Sequence, residues 1–356
     1  MSGHARSRRS LAAAILALPL AGVPIAAPAV AVVGTVDVRA YGANAVPGQD
    51  AAGLAAKQRA TRASAQETKG VVLIDTVVDY GLGRAAGTGL VITHNGLVVT
   101  NHHVVEGATS IAVKVPGGRR YTATVVGYDA GADIAVLRLQ GASRLRTVAT
   151  HAAIGVGQPI EAVGNAAGLG RLTAAPGQVL RRGVTVRVRD DFGGQERLVG
   201  LIKDSADVVP GDSGGAVLDR RNRVVGMNVA ASIGTKDVVG FAIPIGQVTR
   251  VAGRIVSGRA GSAIVIGPRA TLGISIKSNG PTGLIAAVVT GGPADRAGLA
   301  PGDVITSIDG SSLGSNSQLT TVLAGKKVGQ QVTVGYTDAH GAPQTATVTL
   351  WAGPVG

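Results

Sequence analysis

The chain has 356 residues, 45% of them apolar, which is enough for two or three packed domains. It contains no cysteine, so disulfides, a thiol nucleophile and cysteine-ligated metals are all excluded. The net charge is +13 but only 2% of residues are aromatic and the basic residues are scattered, which argues against a nucleic-acid groove and for a solvated surface facing anionic envelope polymers.

The first residues read as a targeting segment. "SGHARSRRS" carries Arg6, Arg8 and Arg9 without an acid, and an uncharged run follows from Leu11 to Val33. Ala27-Pro28-Ala29 and Ala29-Val30-Ala31 both fit an A-x-A cleavage site, so residues 1–31 are expected to be a signal peptide. An uncleaved anchor is the alternative, since the run is about long enough to span. Pro19, Pro24 and Pro28 inside it argue against a spanning helix. Residues 32–70, with "NAVPGQD", show little periodicity and are expected to be a flexible segment.

From Val71 onward short β-branched runs alternate with turns: "VVLIDTVV", "SIAVKV", "YTATVVGY", "DIAVLRL", "PIEAVG", "VVGMNVAAS" and "GFAIP" among them. Asn95-Gly96 between two apolar runs is a hairpin signal. So many strands at this spacing predict a mainly β domain, a barrel or sandwich. After Pro244 the period changes, and Ile245, Val248, Val251, Ala252 and Ile255 fall on one helical face that Gly258 could end. A linker is expected at 258–270 and a small α/β unit at 271–351.

"VVPGDSGGAVLD" sets Ser213 between small residues, where a plain turn serine is the ordinary reading. A nucleophile needs a base, a group that orients the base, and oxyanion donors. The backbone N–H groups of Gly211 and Ser213 could supply the donors. His4, His94, His151 and His340 lie in the leader or in loops, which leaves the pair in "VVTNHHVVEGA". Asp133 heads an apolar strand and can enter the core as the orienting acid.

Taken together, "GTGLVIT", "GLVVTNHHVVEGA", "GYDAGADIAVLRL", "AVGNAAG", "PGDSGGAVLD" and "GFAIP" resemble the HtrA-type serine proteases of trypsin fold, and within them the secreted members from high-GC Gram-positive bacteria. The resemblance implies two six-stranded β-barrels at 71–257 with the active site between them, followed by a PDZ domain. It places the base at His103 rather than His102, the orienting acid at Asp133 and the nucleophile at Ser213. Asp212 becomes a loop-stabilising residue, and Met227, Asn228 and Val229 wall the pocket for the residue before the scissile bond, which is expected to be small and aliphatic. Ser205 stands where the family carries Asp, and an acid appears instead at Asp207, with two readings: a solvated loop acid, or a carboxylate selecting Lys and Arg.

In the PDZ unit, the backbone N–H groups of Leu272, Gly273 and Ile274 are the expected carboxylate loop, and the peptide would add as a strand. Thr271 replaces the aromatic often found there. Leu319 and Leu323 either border the side-chain pocket or are plain core leucines. No cofactor is expected, because the glycine strings at 81–87 and 164–170 lack G-x-G-x-x-G spacing, and no metal, because no His or acid cluster has ligand spacing.

The resemblance therefore implies an exported endopeptidase acting on unfolded or mis-sorted envelope proteins, with peptide C-termini bound by the PDZ domain. The alternative is a protease-fold chaperone or binding protein whose catalysis is silent. Oligomeric state stays open: family trimers pack aromatics near the start of the first barrel, where Tyr41 and Tyr80 are the candidates.

Overall fold

The computed structural model describes residues 37–39, 60–81, 83–189, 195–232, 239–261 and 263–356. The leader at 1–31, Tyr41 and most of the segment 32–70 lie outside the described residues.

Six strands make the first barrel: β1 (Val71–Val78), β2 (Gly83–Val91), β3 (Leu97–Thr100), β4 (Ala108–Lys114), β5 (Arg120–Asp129) and β6 (Ile134–Leu139). They neighbour one another in the order β5-β4-β1-β2-β3-β6, and pairing of β5 with β6 closes the ring. Closure leaves no unpaired edge, which suits these β-branched runs. The hairpin expected at Asn95-Gly96 joins β2 to β3, with Leu90 opposite Val99 and Val91 opposite Val98.

The second barrel repeats the plan with β7 (Pro159–Gly164), β8 (Thr173–Arg189), β9 (Gln195–Asp204), β10 (Ala216–Leu218), β11 (Val224–Ser232) and β12 (Val239–Pro244). Its order is β8-β9-β12-β11-β10-β7, closed by β7 against β8. Helix α2 (Ile245–Val256) follows, and its buried residues are Ile245, Val248, Val251, Ala252 and Ile255, the face read from the sequence. These pack into a core cluster that takes Leu90, Val99 and Ile134 from one barrel and Val163, Ala216 and Met227 from the other. Each Val or Ile buried there contributes about 1.5–3 kcal/mol relative to exposure. The two barrels are thus held by a common apolar seam, and the loops that cross it are fixed.

Part of the stretch 258–270 is a strand. β13 (Ile264–Ile266) runs antiparallel to β5, with Ile264 opposite Asp129. The C-terminal unit then contains β14 (Ala270–Thr271), β15 (Ile274–Ile276), β16 (Ile285–Val288), β17 (Val304–Ile308), β18 (Ser311–Ser312), β19 (Gln331–Thr337), β20 (Pro343–Thr349) and β21 (Trp351–Ala352). Helix α3 (Asn316–Ala324) starts at Ser315, whose hydroxyl caps the Gln318 N–H at 3.2 Å. Leu319 on this helix is buried in the unit's own core, with Leu272, Ile305 and Val348.

The flanks of this unit rest on the first barrel. The Gly107 N–H donates to the Val355 carbonyl at 2.6 Å, and the Val355 N–H donates to the Ala108 carbonyl at 3.1 Å. The Tyr80 and Trp351 rings stack with centroids 6.2 Å apart, so Tyr80 is engaged within its own chain. Among the described residues no helix is long and apolar enough to cross a membrane.

Candidate active site

A single helical turn, α1 (His102–Val105), follows β3 directly and carries both candidate bases. His103 Nδ1 lies 2.9 Å from Asp133 Oδ2, and the His103 backbone N–H donates to Asp133 Oδ1 at 3.0 Å. Both carboxylate oxygens therefore serve one residue, which fixes the ring and keeps a proton on Nδ1. Asp133 is buried at 1% exposure and adopts a φ of +52°, a left-handed conformation that Asp tolerates better than most residues. The Asn101 amide ties that strained turn down by donating to the Asp133 carbonyl at 3.0 Å.

His102 points elsewhere. It is buried and stacked on Tyr128, with ring centroids 4.5 Å apart and 23° between planes. Burial pushes its pKa down, against the opposing pull of the Asp133 charge, so it sits neutral as a packing residue. The Arg269 guanidinium covers Tyr128 at 5.9 Å from the ring centroid.

Ser213 sits half-buried in the turn between β9 and β10, where glycine is required at two positions. Gly211 has a φ of +94°, and a Cβ there would run into the Asn165 carbonyl. Gly214 has a φ of +81°, and its Cβ would meet the Thr88 carbonyl. The backbone N–H groups of Gly211 and Ser213 donate to no described residue, while Asp212, Gly214 and Gly215 around them are all bonded. Both N–H groups are therefore available to an acceptor from outside the described residues.

Thr88 on β2 links this turn to the first barrel. Its N–H donates to the Ser213 carbonyl at 2.9 Å, and its hydroxyl donates to the Gly211 carbonyl at 2.8 Å. The same hydroxyl accepts the Asn165 N–H at 2.9 Å, and the Thr88 carbonyl accepts from Thr100 Oγ1 at 2.7 Å. Neither Thr88 nor Asn165 was singled out by the sequence; their adjacency to glycine in "GTG" and "GNAAG" was the available signal. The string at 164–170 does more than turn the chain: the Ala167 N–H donates to the Pro210 carbonyl at 2.6 Å and braces the serine turn.

The residues expected around the specificity pocket lie on β11. Met227, Asn228 and Val229 are all buried. The Asn228 backbone pairs with Gly214 and Gly215, each bond 2.9 Å, and the Val229 carbonyl lies 3.5 Å from Ser213 Oγ. The Asn228 amide finds no partner among the described residues. Asp207 is half-buried, and the carboxyl that enters the interior is Asp204. Asp204 Oδ1 accepts the Ala206 N–H at 3.0 Å, Oδ2 has no partner among the described residues, and burial pushes the group up to about 7. Asp212 is buried as well and accepts the Val209 N–H at 3.0 Å, which stiffens the turn.

In the C-terminal unit, Leu272 is buried, Ile274 is half-buried, and Gly273 has a φ of +74°. The Gly273 N–H already donates to Thr271 Oγ1 at 3.2 Å, so a peptide carboxylate would have to displace that bond. Leu319 is a core residue and Leu323 packs against the same core half-buried. Among the described residues no group of three or more His, Asp or Glu is placed to hold a metal.

Comparison with known proteins finds relatives for both parts of the chain. A family model for a trypsin-like peptidase domain matches residues 87–227, and one for a PDZ domain matches residues 270–350. Serine protease PepD of Mycobacterium tuberculosis is 32% identical over 311 residues, covering 81% of this chain and 65% of the relative. Serine protease Do-like HtrA of Lactococcus lactis is 31% identical over 290 residues, covering 74% of this chain and 70% of the relative. Periplasmic serine endoprotease DegP of Escherichia coli K12 is 30% identical over 262 residues, covering 70% of this chain and 54% of the relative. The chain spans between about half and two thirds of the length of the first curated relatives it matches.

Proposed function

Since this chain belongs to the HtrA family of trypsin-like serine proteases, we propose that it is an exported serine endopeptidase that cuts unfolded or mis-sorted envelope proteins through an acyl-enzyme. The observation that carries the reading is the two-point hold of Asp133 on His103, at 2.9 and 3.0 Å. It leaves Nε2 as the basic nitrogen of the ring.

In this reading His103 Nε2 takes the proton of Ser213 Oγ as that oxygen attacks the scissile carbonyl. The imidazolium so formed is stabilised by the Asp133 carboxylate. The oxyanion is received by the N–H groups of Gly211 and Ser213, each worth about 3 kcal/mol in the transition state. His103 then returns its proton to the leaving amine, and water repeats the sequence to release the acyl group. The PDZ unit binds peptide C-termini at Leu272, Gly273 and Ile274 for recognition or regulation. Export is supported by the basic, then uncharged leader, and by the periplasmic designation of the Escherichia coli relative.

A fluorophosphonate probe should label Ser213 and casein should be cleaved, both lost in Ser213→Ala. His103→Ala should lower kcat/KM by several orders of magnitude. His102→Ala should cost thermal stability and much less activity. A folded Ser213→Ala variant that still cleaves casein would sink the assignment.

A further inference from the structure

We propose that two adjoining basic clefts on the protease domain form a docking track for a linear polymer of phosphate groups. The first cleft, of about 760 Å³, is lined by His151, Arg182, Arg220, Arg221 and Arg223, with Asp219 among them. The second, of about 570 Å³, is lined by Lys69, His94, Arg144 and Arg146. Ala149 lines the second and His151 the first, so the two linings come within one residue of each other on a single connector. None of His103, Asp133, Ser213 or Gly211 lines either.

The first cleft is shaped by a charge that is already neutralised. Asp219 Oδ2 accepts from Arg223 Nε at 2.9 Å and lies 2.7 Å from its terminal nitrogen. Asp219 Oδ1 accepts the N–H groups of Arg221 and Arg223, at 2.9 and 3.0 Å, which folds the tight turn between β10 and β11. Asn222 completes the turn with a φ of +54°. One carboxylate is spent on holding the turn, and the turn presents Arg220 and Arg221 to solvent at its tip. Arg182 reaches the same cleft from β8. Among the described residues, Arg182, Arg220 and Arg221 in this cleft and Lys69, Arg144 and Arg146 in the other make no ion pair.

The shape and lining select the ligand class. Guanidinium forks match phosphate oxygens two at a time. A water occupies about 30 Å³ of liquid, so one phosphate would leave either cleft mostly hydrated, whereas a chain of phosphates could run through both. No Phe, Tyr or Trp lines either cleft, and His94 and His151, one in each, do not make the run of stacking platforms that a single strand uses. Val156, 64% exposed, flanks the first cleft, which makes an anionic membrane surface the competing partner.

Binding of fluorescein-labelled long-chain inorganic polyphosphate to the full chain, read by anisotropy at low and physiological salt, tests this. We expect saturable binding that the triple variant Arg182→Ala, Arg220→Ala, Arg221→Ala weakens at least tenfold and makes less salt-dependent. Removing the same charge elsewhere, with Arg62→Ala, Arg250→Ala and Arg259→Ala, should weaken it less than twofold. Matching thermal melts check that both variants are folded. In the unaltered protein, polyphosphate should also shield Arg220 and Arg221 from phenylglyoxal. Equal weakening by the two triple variants would reduce the track to general charge and overturn it. Binding to phosphatidylglycerol vesicles without binding to soluble polyphosphate would replace it with a membrane surface.

Discussion

Thr88 and Gly211 are joined across the interface of the two barrels by a buried hydrogen bond, the hydroxyl donating to the carbonyl at 2.8 Å. The bond fixes the peptide plane that follows the carbonyl, and with it the direction of nearby N–H groups. Because the same hydroxyl accepts the Asn165 N–H at 2.9 Å, its loss strands two buried backbone groups, each at a cost of about 1–3 kcal/mol. Thr88→Val keeps the shape and removes the hydroxyl. It should lower kcat on a peptide substrate by roughly tenfold to a hundredfold with KM nearly unchanged. Thr88→Ser should recover most of the rate. A fall in melting temperature with kcat intact would make Thr88 structural only.

How far such features were legible depends on the range of the physics. The strands, the Asn95-Gly96 hairpin and the buried face of α2 follow from local periodicity, and the five core positions of that helix are those read in advance. The strand at Ile264–Ile266 was hidden because "SAIVIG" is brief and lies between glycine- and arginine-rich stretches that read as a linker. The pairing of His103 with Asp133 was legible through family motifs, which also drew attention to Ser213. Thr88 was not, since its partners lie 123 and 77 residues away and a threonine in a strand is unremarkable by itself. The two acids of "KDSADVV" could have been separated by alternation: Ile202, Asp204, Ala206 and Val208 share the buried face, while Lys203, Ser205 and Asp207 take the half-buried one.

That alternation bears on substrate choice. Asp207 is on the half-buried face, and Met227 and Val229 near Ser213 are apolar and buried. Cleavage of an unfolded substrate should therefore fall mainly after Val, Ala and similar residues, and Asp207→Ala should change the pattern little. Mass-spectrometric mapping of the cut sites decides it. An excess of cuts after Arg and Lys, lost in the alanine variant, would mean that Asp207 reaches the pocket.

Thr271 should weaken peptide capture by the PDZ unit. Its hydroxyl already occupies the Gly273 N–H at 3.2 Å, one of the three donors a terminal carboxylate would use. Replacing it frees that donor, and one neutral hydrogen bond is worth about 0.5–1.5 kcal/mol. Thr271→Ala should thus tighten binding of a decapeptide with an apolar C-terminal residue by roughly twofold to tenfold in titration calorimetry. Weaker binding would show that the hydroxyl supports the loop rather than competing with the ligand.

Asp204 should make the fold less stable as pH rises. Its carboxyl is raised from 3.8 to about 7 by burial, so the folded state holds a proton that the unfolded chain releases near pH 4. Between those values the folded state binds more protons, and stability therefore falls with rising pH through the interval and levels off above it. His102 has the opposite sign: burial lowers its pKa below 6.5, so the unfolded chain takes up a proton first and stability falls as pH drops below that value. Asp204→Asn keeps the acceptor for the Ala206 N–H and removes the titration. Melting temperatures at pH 5 and pH 8 should then separate the two groups. The unaltered protein should lose stability toward pH 8, while the variant should exceed it by a clearly wider margin at pH 8 than at pH 5, and should lose stability only toward the acid side. Parallel pH profiles for the two proteins would mean that the Asp204 carboxylate is hydrated in solution and carries no such penalty.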